Sequence, residues 1–145
     1  MNEWTILGLA FAAVAVALYF FIRTKMDPRV RKLADLAYAT AAKIAGLPAR
    51  GNTPPVNLKD GAWETRGVNV VGNYKWFGFL GKVFWDRILV IKAPARIWVI
   101  LVHEMTHAVR RRNSKSSSEA AAYATKAQAI AMPPPNLAAL LEELK

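Results

Sequence analysis

Apolar and polar positions change their rhythm several times along this chain. From Thr5 to Ile22 the sequence TILGLAFAAVAVALYFFI carries no charge and shows no polar face. From Val30 through Leu33, Ala37, Ala41 and Ile44, apolar residues recur at spacings of three and four, the stripe of an amphipathic helix. Asp27-Pro28 supplies its N-cap and first helical position, and Gly46 before Leu47-Pro48 supplies its stop. Ala49 to Gly61, with Pro54 and Pro55, loses the pattern and is expected to be a loop with at most a short strand at Val56 to Leu58. Val68 to Tyr74 and Val83 to Ile91 are rich in β-branched and aromatic residues between glycines and Pro94, which predicts two or three antiparallel strands. Pro94 then opens a helix whose first half, Ile97 to Val102, is apolar nearly all round, as in a helix covered on several sides. That helix should end near Asn113, after Arg110, Arg111 and Arg112, whose charges suit a solvated helix C-terminus. Ser114 to Ser118 reads as a polar turn, and Glu119 to about Ala131 as a further helix.

The fold class expected from these elements is α+β: an N-terminal transmembrane helix, then a small domain with a short antiparallel sheet, a central helix and a following glutamate-bearing helix. Residues 1–26 would be the anchor and its basic flank, and residues 27–145 the domain. The uncharged run makes about 27 Å of helix, just enough for a bilayer core of about 30 Å. Trp4 at one end and Tyr19, Phe20 and Phe21 at the other suit the two interfaces. A cleaved signal peptide fits less well, because Met1-Asn2-Glu3 holds no lysine or arginine and no A-x-A site precedes Arg23. Arg23, Lys25, Arg29, Arg31 and Lys32 follow the run, so the positive-inside rule predicts a single-pass protein with its N-terminus out and its domain on the cytoplasmic side. Gly8 and Ala12 form a small-xxx-small pair through which two spans would associate, a weak signal in an alanine-rich helix.

Twenty basic residues against ten acidic ones give a net charge of +10, which favours anionic partners. Membrane lipid headgroups beside the basic flank account for part of it. A nucleic-acid role for Arg110 to Arg112 and Lys115 is the less favoured use of this charge. With no cysteine in the chain, any metal must be held by nitrogen and oxygen. Trp76-Phe77-Gly78-Phe79-Leu80-Gly81, flanked by Lys75 and Lys82, is apolar for a hairpin tip; it suits the core or a substrate wall better than a membrane interface.

The chemistry lies in His103-Glu104-Met105-Thr106-His107, which holds both histidines of the chain. At about 100° per residue, the two imidazoles lie roughly 40° apart on one helix face, with Glu104 at the edge of the same arc. This HExxH spacing is that of zinc hydrolases, in which the histidines bind Zn2+ and the glutamate is the base for an attacking water.

Two histidines leave such a site one protein ligand short, so a carboxylate or a less common donor must complete it. Glu119 has the shortest return path, since the turn before it folds its helix back against the first. Ser116-Ser117-Ser118-Glu119 also fits a capping box, in which the glutamate would cap its own helix instead. Glu64, Asp86, Glu142 and Glu143 are the rival carboxylates.

HEMTH, together with Glu-Ala-Ala-Ala-Tyr running on to Met132-Pro133, resembles the compact gluzincins, especially small metallopeptidases of the ImmA/IrrE type, over roughly Asp27 to Pro133. The resemblance implies His103, His107 and Glu119 as zinc ligands and Glu104 as general base. It also implies a substrate strand laid along an edge strand within Val83 to Ile91. Where larger gluzincins place an aspartate four residues after the ligand glutamate, this chain has Tyr123, which leaves the second shell of His103 unassigned. Tyr123 itself would either steady an oxyanion or anchor its helix.

The expected function is a membrane-anchored zinc-dependent peptidase acting on a protein at the membrane. The alternative is a non-catalytic basic membrane or virion assembly protein built on a peptidase-like scaffold.

Overall fold

The computed structural model describes residues 1–23, 26, 28–61, 63–65, 68–70, 72–77, 80–86 and 93–144. Among them the chain is α+β, with helices α1 (Glu3–Arg23), α2 (Pro28–Ala45), α3 (Pro94–Arg112), α4 (Glu119–Ala129) and α5 (Leu137–Glu142). Strands β1 (Val56–Lys59), β5 (Leu80–Asp86) and β4 (Gly72–Phe77) form one sheet in that order, and β2 (Trp63–Thr65) pairs with β3 (Val68–Val70) in a separate hairpin.

The larger sheet is mixed rather than antiparallel. β4 and β5 are antiparallel neighbours, but β1 runs parallel to β5, with Val56 opposite Val83 and Leu58 opposite Trp85. Alternation along β5 sends Val83 and Trp85 fully into the core. Residues 87–92, the second half of the strand expected at Val83 to Ile91, lie outside the described residues, as does Asp27, the expected N-cap of α2.

α2 buries Val30, Leu33, Ala34, Ala37, Tyr38, Ala41 and Ala42, the face its spacing predicted. It ends where Gly46 takes φ +64°, and the amides of Gly46 and Leu47 reach back to the carbonyls of Lys43 and Ala42. This paired closure needs a left-handed residue, which glycine supplies at low cost. α3 is buried without interruption from Ile97 to Val109, between α2, α4 and the sheet. Trp98 Nε1 donates to the Ala129 carbonyl at 3.2 Å, fastening the far end of α4 against α3. Leu140, Leu141 and Leu144 complete the core near α2.

The N-terminal segment requires a correction. It is helical from Glu3 to Arg23, yet among the described residues no helix is long and apolar enough to cross a membrane. The uncharged run had no length to spare against a bilayer core of about 30 Å. Gly8 and five alanines, at positions 10, 12, 13, 15 and 17, also dilute its apolar surface. The expected transmembrane helix is therefore not supported, and the single-pass, N-out placement with a cytoplasmic domain loses the span on which it rested. The helix stands away from the core, with Trp4 82% and Phe11 78% exposed.

The arginine run at the end of α3 also differs from the expected solvated terminus. Arg110 Nε donates to the Ser116 carbonyl, the Arg111 guanidinium lies 2.9 Å from the centre of the Trp76 ring, and Arg112 donates to Tyr38 Oη at 3.0 Å and to the carbonyls of Arg50 and Asn52. These three cations fasten the turn before α4, strand β4 and the loop after α2 to one helix end. Trp76, at the expected apolar tip, is half exposed beneath Arg111, while Gly78 and Phe79 lie outside the described residues.

Candidate metal centre

His103 and His107 stand one turn apart on α3, both buried, with ring centroids 5.1 Å apart and ring planes at 79°. The polar turn after α3 brings α4 back across this face. Ser114 takes φ 54°, and the amides of Ser114 and Lys115 close on the carbonyls of Arg111 and Arg110. α4 starts with Ser118 as N-cap, its hydroxyl accepting from the Ala121 amide at 3.2 Å. The capping box on Ser116 does not form. Glu119 is the first helical residue, and its carboxylate points to the histidines: Oε2 lies 3.1 Å from His103 Nε2, and Oε1 lies 3.0 Å from His107 Nε2.

One donor atom from each of His103, His107 and Glu119 lies within 4.8 Å of the others, so this group could hold a metal ion. Hydrogen bonding supplies a test of fit. His107 Nδ1 is 3.0 Å from Ser117 Oγ and 3.2 Å from the Ser117 carbonyl. The carbonyl only accepts, and the Ser117 hydroxyl is directed at the His107 carbonyl, so Nδ1 carries the proton. In the neutral ring Nε2 is then an acceptor facing a carboxylate oxygen, and such a pair needs a cation or a proton between its members. Burial, and secondarily His107, push the His103 pKa below its ordinary value against the pull of Glu119, a direction that favours the neutral imidazole. Two imidazole nitrogens and a carboxylate are a donor set that could hold a metal ion.

Glu104 is buried beside this group, with Oε1 4.0 Å from His103 Nε2. Burial, and then the neighbouring Glu119, raise its pKa to about 8, while the Tyr74 amide on β4, donating to the carboxylate, and Lys126 act in the opposite direction. β4 comes this close because residue 72 is glycine: a Cβ there would lie 2.8 Å from Ile100 Cγ2 and 3.4 Å from Glu104 Oε1. Gly72 and Tyr74 were missed by sequence reasoning. The available signal was a glycine inside a strand pattern, which marks a close backbone approach.

Tyr123 meets the His103 ring edge-on, with centroids 4.8 Å apart, and is 58% exposed. It makes no hydrogen bond to that ring, and His103 Nδ1 is buried without a partner among the described residues. Among the rival carboxylates, Glu142 and Glu143 are exposed on and just after α5, outside the group, and the side chains of Glu64 and Asp86 lie outside the described residues. The substrate strand expected along Val83 to Ile91 is also displaced. Among the described residues β5 is central, paired on both sides, and β1 and β4 are the outer strands of this sheet. Comparison with family models, with curated proteins and with solved structures finds no match for this chain.

Proposed function

We propose that this protein is a zinc-dependent peptidase in which His103, His107 and Glu119 hold the metal and Glu104 is the general base. The observation that carries the reading is the convergence of two imidazole nitrogens on the two oxygens of one carboxylate, with the outer nitrogen of His107 committed to Ser117. Bound zinc would supply Lewis acidity toward a carbonyl oxygen and acidify a water. Glu104 takes the proton of the attacking water on its carboxylate and returns it to the departing amine. In the metal-free chain burial raises its pKa to about 8; a bound cation would lower it again toward the ionised form that accepts a proton, and the Tyr74 amide donates to the carboxylate. Glu119 is 67% exposed in its side chain, so the group opens toward solvent on the α4 side, where an extended peptide can enter. The outer edge of β4, which among the described residues has no paired strand and also fixes Glu104, is the edge along which that peptide would lie.

Metal analysis of the purified full chain tests the site. The expected result is one zinc per chain, lost in His103→Ala and in Glu119→Ala; zinc retained by Glu119→Ala sinks the third-ligand assignment. Glu104→Gln should keep zinc and lose hydrolysis of an unfolded protein such as casein. Undiminished hydrolysis in that variant removes Glu104 from the role of base.

A further inference from the structure

Glu119, Tyr123 and Lys126 follow one another on α4 at spacings of four and three, which places them in one row along the helix. Ala122, Thr125 and Ala129 form the buried face beside that row, so the row runs along the rim where α4 leaves the core. Tyr123 stands edge-on against the His103 ring at 4.8 Å, and the Lys126 ammonium lies 5.5 Å from the centre of the Tyr123 ring. Lys126 is half-buried, and no carboxylate among the described residues forms an ion pair with it.

We infer that Tyr123 and Lys126 form a subsite for a carboxylate of the substrate, located within two residues of the bond that is cut. The inference rests on the zinc-peptidase reading above and gives it a substrate class: peptides with an acidic side chain or a free C-terminus beside the scissile bond. Seven helical residues separate Lys126 from Glu119 by about 10.5 Å along the axis, and helical side chains lean toward the N-terminus, so the ammonium returns toward the centre. Extended peptide advances about 3.3 Å per residue, which puts the ammonium one or two residues from the reacting carbonyl. The exposed face of Tyr123 supplies the floor between the two points. A chain of net charge +10 draws such acidic segments toward it.

The test uses the full chain loaded with cobalt, whose visible spectrum reports ligand binding, and two probes of similar reach: neutral pentanohydroxamate and the carboxylate-bearing succinate monohydroxamate. Wild type should bind the acidic probe about fivefold more tightly, a preference that fades with added salt. Lys126→Met, which keeps most of the stem, should level the two affinities, and Lys126→Arg should retain the preference. Dipeptide hydroxamates, one with a free C-terminus and one amidated with an aspartate side chain, identify which carboxylate the site takes; a Lys126-dependent gain with either supports the subsite. Equal affinities for the acidic and neutral probes in wild type, or no response to either, overturn the subsite and leave the metal assignment standing. Failure to take up cobalt overturns the metal reading and the subsite with it.

Discussion

α1 and the first half of α3 both have sequences that are apolar nearly all round, and they end in opposite environments. Ile97, Leu101 and Val102 of α3 are wholly buried between α2, α4 and the sheet, whereas Leu7, Leu9 and Phe11 of α1 remain more than half exposed. All-round apolarity therefore announces a helix that needs cover without naming the cover. For α3 the cover is encoded elsewhere in the chain, in the stripe of α2, the inward alternation of β5 and the small residues of α4. No described element packs comparably on α1. The polar motif follows the same division: HExxH is carried into the core because it continues the covered helix.

The largest expected effect sets the two helices against each other directly. Leu101→Ala opens a cavity in the core and should cost about 2–5 kcal/mol, whereas Leu9→Ala on α1 should change stability by less than about 0.5 kcal/mol. Urea denaturation of the two variants measures both. A loss at Leu9 comparable to that at Leu101 would break the contrast and place α1 in the folding core.

Burial on α3 also changes the chemistry of the polar groups it carries. In metal-free protein Glu104 keeps its proton to about pH 8, against an ordinary 4.5. Below the unfolded value both states are protonated and stability is greatest. As the pH rises from there, only the unfolded chain releases the proton, so stability falls by up to about 1.4 kcal/mol per pH unit until the folded carboxyl titrates. Chelator-treated wild type should therefore lose stability between roughly pH 5 and 8 relative to Glu104→Gln, whose amide does not titrate. Parallel pH profiles of the two proteins would show that Glu104 ionises normally.

A smaller effect concerns the strand that closes over Glu104. Gly72→Ala places a methyl group against Ile100, a branched and stiff side chain, and should cost about 1–3 kcal/mol. Because the same methyl group approaches Glu104, hydrolysis should fall further than stability or zinc content does. Equal losses in all three would make Gly72 a packing residue alone.

These contrasts also show what could be read from the chain before folding. The α2 stripe and its glycine stop, the helix bearing both histidines and the return of Glu119 were legible because each follows from spacing within a few turns. The parallel pairing of β1 with β5 was not, since it joins segments more than twenty residues apart that nothing local ties together. Ser118 rather than Ser116 became the N-cap because three consecutive serines offer equivalent hydroxyls, and only the geometry of the turn selects one. The three arginines read as a solvated helix end, since their partners Ser116, Trp76, Tyr38, Arg50 and Asn52 come from separate parts of the chain. The length of the apolar N-terminal run was legible, but among the described residues no helix is long and apolar enough to cross a membrane.

The smallest effect tests the turn that gives α3 its last cover. Ser114 is exposed and adopts φ 54°, a conformation that crowds Cβ against the backbone and costs a non-glycine residue about 1 kcal/mol. Ser114→Gly removes that crowding but enlarges the freedom of the unfolded chain, so the net gain should be about 0.5 kcal/mol. Thermal unfolding should show a rise of a few degrees, with zinc content unchanged because Glu119 and both histidines keep their places. A fall in melting temperature would mean that the turn is not held left-handed at this residue. The amide closures on Arg110 and Arg111 that aim α4 at the histidines would then need another origin.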